Sequence, residues 1–257
     1  MPSLEQLSEI AREAGALAYS KWRGDFKSSN KADGSPISEL DHAVDAFLKA
    51  ALRDLDPNAG WLSEETADNA ERLLSPRLWV VDPIDGTRDF VAGKRGWCVS
   101  IAYIEGGRVT LGVLDAPARD EHWSAEAGKG AHRNGVPLQC ASCHQLAGAR
   151  VPADQLAPVD ADLILVTKPN SIALRMAMVA SGEADLLASI RWGHEWDIAA
   201  ATLIALEAGA AVSDAFGNPL RFNSTKGEAF GVLATCPDIH MAAVARLAER
   251  ATTGVKR

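Results

Sequence analysis

The sequence predicts an α/β protein of the α+β kind, built as two intimate lobes rather than as separable domains. Three observations carry this expectation. The chain has 257 residues, 47% hydrophobic and 23% charged, enough to bury a large core. Four strand-like runs follow closely between residues 77 and 126, whereas strand and helix patterns alternate after residue 163. No repeat or low-complexity linker separates these regions, and the lobes are expected to meet near residue 135. This gives an N-terminal α+β lobe over 1–135 and a C-terminal α/β lobe over 136–257.

Taken in order, Leu4, Leu7, Ile10, Ala11, Ala14 and Leu17 recur at helical spacing and predict a first amphipathic helix. A polar loop, KSSNKADGSP (27–36), leads to a second helix over about 39–55. Ser38 is its N-cap, and Asp41 three residues on resembles a capping box. DPNAG (56–60) ends that helix. Strands follow at 77–82, 97–105, 108–115 and 121–126, with EGGR (105–108) as a hairpin turn. The expected result is a mostly antiparallel sheet with helices on one side. In the second half, LILVTK (163–168) reads as a short buried strand and 170–182 as a helix with an Asn/Ser start and a Gly stop. A strand at 185–190, an Ala-rich helix at 196–210, a strand at 228–236 and a final helix with Pro237 near its first turn complete the pattern.

Composition narrows the function. The formal net charge is −8 and no Lys/Arg cluster stands out, which argues against nucleic acid as a partner. No run approaches the roughly 18 apolar residues of a membrane span. The early acids and helical period of the N-terminus do not fit a signal peptide, so a cytoplasmic protein is expected. CASCH (140–144) matches the C-x-x-C-H haem-attachment pattern, but that attachment belongs to exported proteins. No matched second pair completes a zinc site either. Cys98, Cys140, Cys143 and Cys236 are read as reduced thiols.

Chemistry concentrates in the acids. In WVVDPIDGTRDF (79–90) an apolar run ends on Asp82, with Asp85 three residues later and Pro83 stiffening the turn between them. Both carboxylates and the Ile84 carbonyl can then point to one spot. Hard oxygen ligands of this kind suit Mg²⁺. Without a cation the two like charges would repel and raise a pKa. Gly86 and Thr87 follow at an expected helix start, where free amides form a phosphate cradle and the Thr87 hydroxyl can orient a water. Glu64 in GWLSEET and Asp197 in HEWDIAA sit where elements end or begin, although an acid opening a helix also has a plain capping role. The local pattern points to metal-assisted phosphoester hydrolysis.

Four stretches resemble the inositol monophosphatase superfamily, in that family's order: KADGSPISELD (31–41), LSEET (62–66), WVVDPIDGTRDF (79–90) and WDIAAATLIALEAGA (196–210). The resemblance implies a layered α/β/α/β/α sandwich, usually dimeric, Mg²⁺-dependent and often lithium-sensitive. It implies that Glu64, Asp82 and the Ile84 carbonyl would bind a first Mg²⁺, and that Asp82, Asp85 and Asp197 would bind a second. Glu64 would help to hold a weaker third. Thr87, paired with Asp41, would activate the attacking water, and the Gly86 and Thr87 backbone would hold the phosphate. Lys31 matches a lysine on a mobile loop near the metals.

Substrate signals are sparser. The region that aligns with an inositol-contacting Glu holds Ser189 and Ile190, without an acid. The EWD triplet and T-R-D-F (87–90) resemble the 3′(2′),5′-bisphosphate nucleotidase branch, although the S-R-x-H run usual there is missing. Lys168 stands where relatives often have a pocket Ser and could meet a second anionic group. The balance favours a bisphosphate nucleotide such as adenosine 3′,5′-bisphosphate. The alternatives are inositol 1-phosphate, another sugar, polyol or histidinol phosphate, and, more distantly, a non-catalytic phosphatase-like module that binds protein.

Overall fold

A computed structural model describes residues 2–31 and 34–255. Ala32 and Asp33, within the KADGSP segment singled out above, lie outside the described residues.

The chain opens with α1 (Leu4–Lys21), started by a capping box between Ser3 and Gln6. Two short strands, β1 (Ser28–Asn30) and β2 (Pro36–Ser38), pair antiparallel. They lead into α2 (Glu39–Leu55), whose capping box is formed by Ser38 and Asp41, as expected. Seven strands then form one sheet in chain order. They are β3 (Gly60–Ser63), β4 (Arg77–Asp85), β5 (Cys98–Glu105), β6 (Arg108–Ala116), β7 (Glu121–Glu126), β8 (Ala131–Arg133) and β9 (Val136–Pro137). The β3–β4 pair is parallel and the others are antiparallel. A short helix, α3 (Thr87–Val91), follows β4 directly.

The second half begins with a parallel pair, β10 (Arg150–Pro152) and β11 (Ile164–Val166). Next come α4 (Ile172–Ala180), β12 (Leu186–His194), α5 (Glu195–Glu207), β13 (Ala211–Ser213), β14 (Glu228–Thr235) and α6 (His240–Gly254). β14 is the centre of a three-stranded sheet, flanked by β12 and β13.

Side-chain alternation builds the layers. From β4, Trp79 and Val81 pack toward α1 and α2, with Leu7, Val44, Leu48 and Leu52. Leu78 and Val80, one residue out of step, pack on the other face with Ala199, Leu203 and Ile204 of α5 and Met176 of α4. The large sheet is therefore covered by helices on both faces, not one. That is why LWVV is continuously apolar, as a strand buried on both faces must be. The three-stranded sheet repeats the arrangement. Val232 and Ala234 face α4 and α5, while Leu233 and Leu186 face Ala243 and Leu247 of α6. The order of layers is α/β/α/β/α.

Two local expectations need correction. β11 is short and outward, with Ile164 52% and Leu165 44% exposed, because it pairs only with the edge strand β10. Pro237 opens a 3-10 turn, Pro237–Ile239, ahead of α6 rather than the helix itself. All four cysteines are free thiols, and His144 of the CASCH run pairs with Asp238 at 2.5 Å.

Candidate active site

The site forms where β4 leaves its regular ladder. Asp82 pairs with Ser100 and Asp85 with Cys98, so β4 uses three steps where β5 uses two. This is a β-bulge inside the strand rather than a turn after it, and Pro83, which has no N–H to donate, fits the break in the ladder. The Ile84 amide donates to Asp82 Oδ1 at 3.0 Å and fixes that carboxylate. Gly86 then turns the chain at φ +94°. A Cβ there would lie 2.6 Å from the Gly96 carbonyl oxygen, so both conformation and space require glycine.

Glu64 arrives by register. The parallel pairing sets Ser63 opposite Val81, and the Glu64 amide donates to the Val81 carbonyl at 3.3 Å. Glu64 therefore lies at the same end of the sheet as Asp82. The loop is tied down by Asp45 of α2, which accepts from Ser63 Oγ at 2.5 Å and Thr66 Oγ1 at 2.6 Å. Asp197 comes from the first turn of α5. Ligand oxygens of Asp82, Asp85 and Asp197 all lie within 4.8 Å of one another. Asp82 and Asp85 are buried and Asp197 is partly so.

Crowding appears in the titration of these groups. Burial, followed by the charges of Glu64, Asp85 and Asp197, holds Asp82 well above the carboxylate range. Burial, followed by Asp85 and Glu64, does the same to Asp197, against the opposing charge of Arg191. Asp85 is pushed up to about 6, mainly by burial, while hydrogen bonds from Ser171 and Ala173 pull it down. A cluster of desolvated, mutually repelling carboxylates with an all-oxygen donor set fits a hard divalent cation, which would remove the repulsion.

Thr87 lies beside this cluster. Its hydroxyl is 3.0 Å from the Ile84 carbonyl oxygen and 3.3 Å from Asp41 Oδ1. Asp41 is buried, and burial raises its pKa even though Ser38 donates to it. The Asp89 and Phe90 amides return to the Gly86 carbonyl oxygen at 2.9 and 3.2 Å, whereas the Gly86 and Thr87 amides make no backbone hydrogen bond among the described residues. Lys31 reaches over from its loop to Glu64 and Glu65, at 2.7 Å each. Burial opposes the Lys31 charge, but the two glutamates raise its pKa above the usual lysine value. Lys168 does not join the group, because Asp154 takes its ammonium at 2.8 Å.

Other residues prove important that sequence reasoning did not assign to the site. Ser171, the N-cap of α4, donates to Asp85 Oδ2 at 2.5 Å, and the Ala173 amide donates to the same oxygen at 2.8 Å. Its place at a helix start was the only signal in the sequence. Glu195 of the EWD triplet is fully buried and accepts the Asn223 and Ser224 amides at 2.7 and 2.8 Å. Arg72 holds the same loop through Asn223 Oδ1 at 2.6 Å and the Ser224 carbonyl at 3.0 Å. Asp89 of T-R-D-F accepts the Asn170 amide at 3.1 Å. Glu195 and Asp89 thus brace loops beside the site. A cleft of about 550 Å³ opens beside Glu64 and Asp197.

Known proteins match this chain over nearly its whole length. The model of the inositol monophosphatase family matches residues 2–253. The 3′(2′),5′-bisphosphate nucleotidase CysQ of Escherichia coli (strain K12) is 33% identical over 233 residues, covering 85% of this chain and 93% of that protein. Inositol monophosphatase 2 of Solanum lycopersicum is 32% identical over 237 residues, covering 84% and 89%. The solved Thermotoga maritima IMPase superposes with a TM-score of 0.84 at 26% identity, over 97% of this chain and 98% of that one. No helix among the described residues is long and apolar enough to cross a membrane. With this fold, this acidic cluster and these relatives, the chain belongs to the inositol monophosphatase family and is a phosphoric monoester hydrolase.

Proposed function

We propose that the chain is a Mg²⁺-dependent phosphomonoesterase acting on a 3′(2′),5′-bisphosphate nucleotide, of which adenosine 3′,5′-bisphosphate is the representative. The observation that carries the reading is the group of Asp82, Asp85 and Asp197, with ligand oxygens within 4.8 Å of one another, next to the Thr87–Asp41 pair. The nucleotide preference is supported by the likeness to CysQ.

In this reading Glu64, Asp82 and the Ile84 carbonyl hold one Mg²⁺, and Asp82, Asp85 and Asp197 hold another, with Glu64 helping a weaker third. When bound, the ions neutralise phosphate charge and acidify the attacking water. The protein residues do the rest. The Gly86 and Thr87 amides hold the phosphate oxygens. Thr87 Oγ1 accepts the water proton and passes its own to Asp41 Oδ1, 3.3 Å away. Burial makes Asp41 a stronger proton acceptor than an exposed aspartate, which suits this role. Lys31 ties its loop to Glu64 and Glu65 at the rim of the cleft. The reading includes a cytoplasmic homodimer and lithium inhibition, as the family resemblance implies.

The test is phosphate release with Mg²⁺ from adenosine 3′,5′-bisphosphate, inositol 1-phosphate, fructose 1,6-bisphosphate and histidinol phosphate, each with and without lithium. The bisphosphate nucleotide should show the highest kcat/KM, and chelator should abolish turnover. A clear preference for inositol 1-phosphate would overturn the nucleotide assignment.

A further inference from the structure

The cleft holds about 550 Å³. A phosphate group occupies only a small part of that, and cavities of roughly 300–1,000 Å³ enclose molecules of nucleotide size. Most charge in the cleft is already committed. Lys31 is held by Glu64 and Glu65, and the acids converge on the metal end. Arg191 is different. Its side chain lines the cleft, is exposed, and makes no ion pair or hydrogen bond among the described residues, although its charge reaches Asp197.

A second irregularity in a strand puts it there. Ser189 pairs with Val232 and Trp192 with Phe230, so Ile190 and Arg191 together face the single residue Gly231. Gly231 has φ +73°, and a Cβ there would lie 2.5 Å from the Ser189 carbonyl oxygen. The bulge sends the two neighbours to different places. Ile190 packs against the apolar clusters beneath α6, and Arg191 lines the cleft. Of the two residues aligned with an inositol-contacting acid, Ser189 lines the cleft and Ile190 packs against the apolar clusters. Beside Arg191, Trp192 is 49% exposed, with its indole braced edge-on against Phe230 at 5.4 Å. His194 and Trp196, also in the cleft wall, stack at 4.3 Å.

An unpaired guanidinium is a fork for a phosphate, and an exposed, braced indole is a surface for a flat base. We propose that Arg191 determines specificity by binding the second, unreacting phosphate of a nucleoside bisphosphate, with Trp192 stacking on its base. The inference rests on the phosphatase reading above and narrows its substrate to molecules with two phosphates on a nucleoside.

The experiment compares adenosine 3′,5′-bisphosphate with adenosine 3′-monophosphate, which has the same base and scissile group without the second phosphate. In Arg191→Ala, the ratio of kcat/KM for the bisphosphate over the monophosphate should fall at least tenfold, mainly through KM, because one charge-assisted phosphate contact is lost. Arg191→Lys should restore part of the ratio, since it keeps the charge without the fork. Trp192→Ala should raise KM for both nucleotides relative to inositol 1-phosphate, by about tenfold. If Arg191→Ala leaves the ratio within twofold of wild type while the wild type prefers the bisphosphate, the role of Arg191 is overturned and the nucleotide reading stands. A wild type that turns over inositol 1-phosphate but neither nucleotide overturns both.

Discussion

Ser171 donates its hydroxyl to Asp85 Oδ2 at 2.5 Å, joining the cap of α4 to a carboxylate of the acidic cluster. The Ala173 amide donates to the same oxygen, so two donors fix the orientation of the Asp85 carboxylate. Ser171→Ala should raise the Mg²⁺ concentration for half-maximal velocity by roughly 10–100-fold, the usual effect of removing a partner of a metal ligand. Loss of the cap itself should cost only about 1 kcal/mol of stability. Mg²⁺ titration of activity and thermal unfolding in chelator separate the two effects.

Asp82 strains the metal-free protein. A carboxyl whose folded-state pKa lies above its unfolded value takes up protons on folding, so stability falls as pH rises through the window between the two values. For Asp85 that window runs from the ordinary value near 4 up to about 6, and for Asp82 burial and the neighbouring carboxylates likewise carry it well above the ordinary value. In chelator, Asp82→Asn should therefore be more stable than wild type at pH 8, by on the order of 1–3 kcal/mol, with the gap narrowing toward pH 5. Saturating Mg²⁺ should reverse the order, because the ion binds the folded wild type. Urea unfolding at the two pH values, with and without Mg²⁺, checks each sign.

Thr87 is 3.3 Å from Asp41 and 3.0 Å from the Ile84 carbonyl oxygen. Removing its hydroxyl should lower kcat by about 10²–10³ with little change in KM, the range for loss of a proton-transfer group. Thr87→Ser keeps the hydroxyl and should retain most of the rate. Steady-state kinetics of both variants on one substrate decide the matter, and a Thr87→Ser enzyme as slow as Thr87→Ala would exclude the hydroxyl role.

Glu195 satisfies two backbone amides from a fully buried position. Glu195→Ala leaves those donors without their acceptor and should destabilise the fold by about 2–4 kcal/mol. Urea midpoints measure this directly. A variant within experimental error of wild type would show that the loop is held by Arg72 alone.

Local pattern made much of this molecule legible. The Ser38–Asp41 box, the helical period of α1 and the apolar run before Asp82 depend on neighbours in sequence, and each lies where it was expected. The acids of the site were legible as well, because their residue types and flanking turns stand out. What escaped depends on long-range pairing. The family resemblance pointed to Glu64, but strand β3 and its parallel register on β4, which bring Glu64 to Asp82, have no local signal. The second helical layer on the large sheet comes from α4 and α5, far along the chain. Lys168 looked available only because its partner, Asp154, lies on a separate loop. Arg191 escaped because a bulge, which depends on Gly231 in another strand, decides which way it faces.

The contact between Ser171 and Asp85 spans 86 residues, and Asp197 lies further along still. A chain emerging from the ribosome thus exposes Glu64, Asp82 and Asp85 well before the groups that complete the cluster have been synthesised. Prematurely terminated products that end before α5 would lack Asp197 and with it the complete acidic cluster. Hydrolysis of phosphate esters would then begin only after α5 has been synthesised.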